Sequence, residues 1–366
     1  MDDRILLIAL HETPGIGWKT IRRIVDSMQD LKELPHIPSD DWAAFGIAPA
    51  KIVSVHNSFL ASLQRERVQR YRTLGVRAMT AWDDDYPELL KHIAQPPWVL
   101  YLKGDAARMS RPCIGMVGTR NPTVYGKKVA EQLAESLSAS GACVVSGLAR
   151  GIDTSAHVGA LRASGGGGGT IGVLGCGIDG IYPPENRSLF HRIEESGLLV
   201  SEYPPQTPSL PGLFPQRNRI IAGLSLGVAV IEAAERSGSL ITADQALDAC
   251  RDVFAVPGPI TSPKSAGTLA LIKNGAKLIT CAEDILEEYR HRMTFGETTY
   301  INDNSRQECL SDDERTIASF LSAEPVTFDE LLALSQFNFG HLHSVLLSLL
   351  LKKRIEQLPG SAYIII

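Results

Sequence analysis

The chain has 366 residues, 44% of them hydrophobic and 21% charged, which is enough for two or three buried cores and excludes a disordered or fibrous chain. Its formal net charge is −5, so any affinity for nucleic acid has to come from a local basic patch rather than from overall charge. No apolar run reaches the ~18 residues of a membrane span; the start, Met1-Asp2-Asp3-Arg4, lacks a signal-peptide layout, and the cysteines are scattered without a C-x-x-C pair, which predicts reduced thiols in a cytoplasmic protein with no zinc site and no membrane partner.

In chain order, LIALHETPGIGWKTIRRIVD reads as two helical patterns joined at Pro14-Gly15-Ile16-Gly17. This resembles a helix-hairpin-helix, in which glycines let backbone N–H groups approach a phosphate at the second helix, here followed by Lys19, Arg22 and Arg23. A plain helix-loop-helix packing unit fits the same residues equally well. Residues 1–80 are assigned to this N-terminal helical domain, of helix-hairpin-helix or SAM-like type.

Short apolar runs then alternate with helical patterns. Strands are expected at 113–117, 142–146, 170–174, 198–201, 227–231, 252–256 and 277–279, with helices at 127–140, 154–163, 186–194, 240–250 and 268–274. Strands that lack polar alternation and are separated by helices predict a doubly wound, Rossmann-like parallel sheet covered on both faces, assigned to residues 81–290. Its ligand site belongs at the carboxyl ends of the strands. The glycine run Gly165–Gly169 reads as a mobile linker, because a strand rather than a helix follows it. A polar stretch, 291–309, is the expected linker to a last domain, 310–366. There, three helical patterns and a strand pair turning at Pro359-Gly360 predict a winged helix. Its third helix, GHLHSVLLSLLLKK, is apolar enough to predict core packing or protein contact rather than DNA reading.

Two nucleotide fingerprints fail on chemistry. GCGIDG (Gly175, Gly177, Gly180) follows a strand, but Pro183-Pro184 stop a helix from starting where a pyrophosphate needs its N-terminus. NPTVYGKK has Gly126-Lys127, yet Asn121 and Lys128 stand where a Walker A loop needs glycine and Ser/Thr. What remains is a series of glycine-rich strand ends carrying cations: Gly118-Thr119-Arg120; Ser146-Gly147 with Arg150 and Asp153; Arg217-Asn218-Arg219, read as opening a helix; and Arg236 to Ala243, with Gly238-Ser239 at another helix start. Amides and cations that converge on one rim form an anion site, and several along a rim suit an extended polyanion. Catalytic candidates are thin. His157 reads as a packed side chain, Glu202 and Glu232 as groups that orient arginines or touch a ribose, and no metal-ligand or Ser-His-Asp spacing stands out, so neither catalytic residues nor a cofactor is expected.

The segments GTRNPTVYG, SGLARGIDTSAH, GCGIDGIYPPEN, SEYPPQTPSLPGLFPQRNRIIAGLS, EAAERSGSLITADQA, VFAVPG and LIKNGAKLI, in that order, resemble the DNA-processing protein A (DprA, or Smf) family, closely over residues 83–288. The resemblance implies a non-enzymatic, homodimeric protein of natural transformation that binds single-stranded DNA, protects incoming strands and helps load RecA recombinase. Carried over residue by residue, it implies DNA contacts from Gly118, Thr119, Arg120, Ser146, Gly147, Arg150, Arg217, Asn218 and Arg219. Nearby aromatics, Phe214, Tyr182 or Tyr125, are then the expected surfaces on which bases stack. Cys250 stands where the family commonly has glycine. The alternative is a nucleotide-processing hydrolase of the lysine-decarboxylase-like superfamily acting through Glu202 or Glu232; its P-G-G-x-G-T signature is only faintly echoed by VPGPITSPKSAGT.

Overall fold

The computed structural model describes residues 2–28, 30–163, 167–290, 311–321, 325–352, 354–358 and 361–365. The chain forms two compact units, 1–298 and 299–366; the expected linker, 291–309, lies outside the described residues.

The first unit is built on nine strands: β1 (Arg77–Thr80), β2 (Val99–Gly104), β3 (Cys113–Val117), β4 (Cys143–Ser146), β5 (Thr170–Leu174), β6 (Leu198–Ser201), β7 (Gly227–Val230), β8 (Asp252–Ala255) and β9 (Lys277–Leu278). Their order in the sheet is β1-β2-β6-β5-β4-β3-β7-β8-β9. Strands β3 to β9 pair in parallel, as the uninterrupted apolar runs predict; Ile114 has Val144 on one side and Gly227 on the other. Helices on both faces bury every residue of β3, β4, β5, β6 and β7. Strands β1 and β2, which the sequence reading did not anticipate, extend the sheet antiparallel beyond β6. Thus Arg77–Thr80, assigned above to the N-terminal helical domain, belong to the sheet.

From β3 the chain winds outward through β4, β5 and β6, then returns to lay β7 against the other side of β3. The β3–β7 junction is therefore the point where the winding reverses, and a crevice opens at the strands' carboxyl ends.

The N-terminal helices Asp3–Glu12, Trp18–Ser27, Pro49–Ser58 and Ala61–Leu74 bury Leu6, Leu10, Ile21, Ile24 and Trp42 in a core continuous with Tyr101 of β2 and Ile193. Glu12 fastens this join. Its carboxylate accepts hydrogen bonds from Arg67 (2.7 Å), Arg70 (2.8 Å), Tyr101 (3.1 Å) and Tyr71. Burial pushes that carboxyl up, but the Tyr71 and Arg67 bonds outweigh it and hold the group below its ordinary range. At the described end of the glycine run, Arg108 donates to the Gly167 and Gly168 carbonyls and Ser138 receives the Gly168 and Gly169 amides, so this end is tied down rather than free as expected.

The second unit has helices Asp312–Phe320, Phe328–Ser335 and Phe339–Leu351 with a small sheet of β10 (Val326–Thr327), β11 (Ile355–Leu358) and β12 (Ala362–Ile365), ordered β10-β12-β11. Reciprocal Ser311/Glu314 and Thr327/Glu330 caps set the first two helix starts. The third helix spends Leu342, Leu346 and Leu349 on the unit's own core, which accounts for its apolar composition. The expected turn at Pro359-Gly360 lies outside the described residues.

Candidate nucleic-acid interface

At the β3–β7 reversal lies a pocket of about 330 Å³. Gly118 and Arg120 come from the end of β3, Phe214, Arg217 and Asn218 from helix Leu213–Leu224, and Ser237, Gly238 and Ser239 from the start of helix Gly238–Asp248.

Gly118 is required by close approach. A Cβ there would sit 2.6 Å from Ile152 and 2.9 Å from the Glu232 carbonyl. The same carbonyl accepts the Thr119 amide at 2.7 Å, which stitches the loop after β3 to the loop after β7. The Glu232 carboxylate is also committed: it accepts from the Thr123 amide (2.8 Å) and hydroxyl (2.5 Å) at the start of helix Val124–Ala139. It is thus a fastening, not a free acid. Arg120 stands exposed at the pocket rim, and among the described residues its guanidinium makes no ion pair or hydrogen bond.

The cations of the other strand ends are placed differently. Arg217 is only 4% exposed. Its Nη1 donates to the Gly147 carbonyl (2.7 Å) and to the Val173 carbonyl, tying together the ends of β4 and β5. Gly147 has no side chain because a Cβ would fall 2.4 Å from that guanidinium, and its amide donates to Asp153 (3.1 Å). Burial pushes the Asp153 carboxyl up against the opposing influence of Arg217. Ser146 is buried and donates to the Met116 carbonyl (2.6 Å), locking β4 to β3. Arg150 is exposed but pairs with Glu185 and does not line the pocket. Arg219 turns away altogether: both oxygens of Glu202 take its Nη2, at 2.6 and 2.7 Å, beside a different cavity. The helix carrying these residues starts at Leu213, so Arg217, Asn218 and Arg219 lie in its second turn instead of opening it.

The pocket therefore gathers Gly118, Arg120, Phe214, Arg217 and Asn218, with Thr119, Ser146 and Gly147 as backbone supports, and leaves out Arg150 and Arg219. It adds the N-terminus of helix Gly238–Asp248, where Ser237 accepts the Ser239 amide at 3.4 Å and the space a Gly238 Cβ would occupy is open. The glycine-serine motif was the signal for this element. Phe214 of the lining packs against Tyr182, with ring centroids 5.0 Å apart, and Tyr182 is 42% exposed. An uncommitted guanidinium, helix-terminal amides and aromatic faces are the chemistry that takes a phosphate with its neighbouring bases.

The acid–base candidates named from the sequence are tied into the fold. After GCGIDG no α-helix begins until Arg187, so the loop does not open directly into a helix as a dinucleotide fingerprint requires. His157 is fully buried, with Nδ1 against the Thr170 hydroxyl (2.7 Å), and burial, helped by Arg217, pushes the imidazole down to about 3. An imidazole near 6.5 in the unfolded chain and near 3 in the folded one takes up its proton only on unfolding. Stability is therefore fully present above pH ~6.5 and falls by about 1.4 kcal/mol per unit as pH drops from there toward ~3. Denaturant titration is expected to show this slope in the wild type and its loss in His157→Gln. Among the described residues no cluster of His, Cys, Asp and Glu could hold a metal ion, and no helix is long and apolar enough to cross a membrane.

Residues 77–290 match the family model described as DNA recombination-mediator protein A, and residues 304–361 match the DprA winged helix domain. The chain is 47% identical to DNA processing protein DprA of Bacillus subtilis over 223 residues, 61% of this chain and 74% of that one. It is 32% identical to Protein Smf of Synechocystis over 97% of each chain. Among solved structures, DNA processing protein A of Streptococcus pneumoniae superposes with a TM-score of 0.68 at 35% identity, covering 78% of this chain and 97% of that one. The Helicobacter pylori protein, described as having a unique single-stranded DNA binding mode, gives 0.53 at 31% identity over 59% and 96%.

Proposed function

The chain belongs to the DNA recombination-mediator protein A family, and from that premise we propose that it binds single-stranded DNA in the β3–β7 pocket, protects incoming strands in natural transformation and helps load RecA onto them. The observation that carries the binding step is Arg120: an exposed guanidinium with no partner among the described residues, beside the amide of Gly238 and the Phe214–Tyr182 pair. Backbone phosphates engage the cation and amide, while bases stack on the rings. The single-stranded DNA binding mode described for the Helicobacter pylori neighbour supports the substrate class. Protection, RecA loading and a non-catalytic role are parts of the proposal that rest on the family resemblance alone.

The test is a parallel titration with fluorescent oligo-dT, duplex DNA and mononucleotides at low and high salt. Oligo-dT is expected to bind tightest, with affinity falling steeply as salt rises, because counterion release dominates phosphate binding. Turnover of a mononucleotide without oligo-dT binding would reverse the reading.

Self-association as a twofold dimer through the sheet unit is part of the same proposal. In the segment Leu269–Tyr289, Ile279, Ile285, Leu286 and Tyr289 complete the unit's own core, whereas Leu278 on edge strand β9 stays exposed. Such an edge suits a symmetric contact that sets two pockets along one strand and raises the effective concentration of the second. Light scattering is expected to give twice the chain mass; a monomer mass, with and without oligo-dT, would refute it.

A further inference from the structure

A second cavity, larger than the pocket above, lies elsewhere in the first unit. It holds about 600 Å³ and lies between the N-terminal helical hairpin and the sheet. One wall is aromatic: the Trp18 and Trp98 rings stack with centroids 5.9 Å apart. Their indole N–H groups are committed to backbone, Trp18 to the Pro96 carbonyl (2.6 Å) and Trp98 to the Trp18 carbonyl (3.3 Å), so the rings are held before any ligand arrives. The lining also carries acceptors beside the Arg219 guanidinium. Glu202 faces the cavity with its carboxylate fixed by Arg219, and Asp248 is exposed and makes no ion pair among the described residues. Gln245 donates its Nε2 to the Pro215 carbonyl (3.3 Å), which fixes the amide and leaves Oε1 buried without a partner.

A fixed aromatic wall in a lining with acceptors suits a flat ring that carries N–H donors. Cytosine, adenine and guanine carry an exocyclic amino group; thymine does not. Arg219 neutralises Glu202, which leaves the Asp248 carboxylate unpaired in this lining; that charge disfavours phosphate, so a base enters and its backbone stays at the mouth. The two cavities are neighbours. Both lie on helices Leu213–Leu224 and Gly238–Asp248, and the Pro215–Gln245 hydrogen bond joins a residue of one lining to a residue of the other. We propose that this second cavity takes one amino-bearing nucleobase, drawn from the strand held at Arg120 or supplied as a free nucleoside. The inference rests on the single-stranded DNA reading above.

The test measures anisotropy of oligo-dC and oligo-dT of equal length, at mildly alkaline pH, on the full chain and on Ala94→Trp, Asp248→Ala and Arg120→Ala. Ala94 and Asp248 are exposed lining positions, so both changes are expected to leave the fold intact, which thermal melting checks. One additional hydrogen bond to a charged acceptor predicts that the ratio of oligo-dC to oligo-dT affinity in the wild type exceeds that in Ala94→Trp and Asp248→Ala by about fivefold or more. Arg120→Ala is expected to weaken both oligonucleotides and preserve the ratio. Equilibrium dialysis of deoxycytidine against wild type and Ala94→Trp identifies the source: binding lost in the variant means a free base enters, and no binding to either, with the ratio effect intact, means the base enters only as part of a strand. An affinity ratio identical in wild type and both cavity variants would overturn the second site. A failure of Arg120→Ala to weaken either oligonucleotide would instead count against the first pocket.

Discussion

Arg217→Ala is expected to lower folding stability by about 3–5 kcal/mol, the cost of removing one member of a buried, hydrogen-bonded charge arrangement. The loss has a local cause. The guanidinium is the donor for the Gly147 and Val173 carbonyls, both at strand ends, and alanine leaves them buried without a substitute. Asp153 loses its nearest cationic influence at the same time. Arg217→Lys is expected to recover only part of this, because a single ammonium on a flexible stem does not reproduce a planar fork. Denaturant midpoints with an unchanged slope are the readout. DNA binding by the surviving folded fraction is expected to weaken as well, since the loop after β4 borders the pocket. A variant as stable as the wild type would mean that the two carbonyls find other donors and that Arg217 is not the tie between β4 and β5.

Arg120→Ala is expected to show the opposite profile: an unchanged denaturant midpoint and a roughly ten- to hundredfold loss in affinity for oligo-dT. Its guanidinium is exposed and makes no ion pair or hydrogen bond among the described residues, so truncation leaves nothing buried unsatisfied. A hydrogen bond from a charged donor to phosphate contributes about 1.5–3 kcal/mol, which sets the size of the loss. Arg120→Lys keeps the charge and loses the fork, so it is expected to fall between the two. The pair of arginines thus separates binding from support within one pocket: wild-type affinity in Arg120→Ala would move the site elsewhere, and unfolding would make Arg120 structural.

Much of the sheet was legible because its central strands are apolar on both faces. Cys113–Val117 and Thr170–Leu174 begin and end where their apolar runs do. Strands β1 and β2 were not, for different reasons. Only four residues form β1, with an exposed-to-buried gradient and no clean alternation. Buried β2 sits directly behind Pro96-Pro97-Trp98 and pairs antiparallel, outside the strand–helix rhythm that signalled the others.

The candidate site was legible as a set of strand ends but not as a set of side-chain directions. QRNR reads as one basic patch. On a helix, however, successive residues turn by about 100°. Arg217 is therefore driven inward, Asn218 reaches the pocket, and Arg219 faces Glu202 beside the other cavity. Residue type gave no warning, since a buried arginine and an exposed one are written alike. Only the position of the helix start, Leu213, fixes the phase, and Pro215 within its first turn obscures that start in the sequence. The glycines were more informative. Gly118 and Gly147 stand where a Cβ would strike the Glu232 carbonyl or the Arg217 guanidinium, so each glycine marks a close approach at a strand end.

The measurement that bears most directly on the central claim is a crystal structure of the chain with bound oligo-dT. The account predicts a backbone phosphate within hydrogen-bonding distance of Arg120 and of the Gly238 amide, with a thymine ring on the Phe214–Tyr182 pair. A strand bound elsewhere on the sheet unit or on the winged helix, with Arg120 facing solvent, would contradict it.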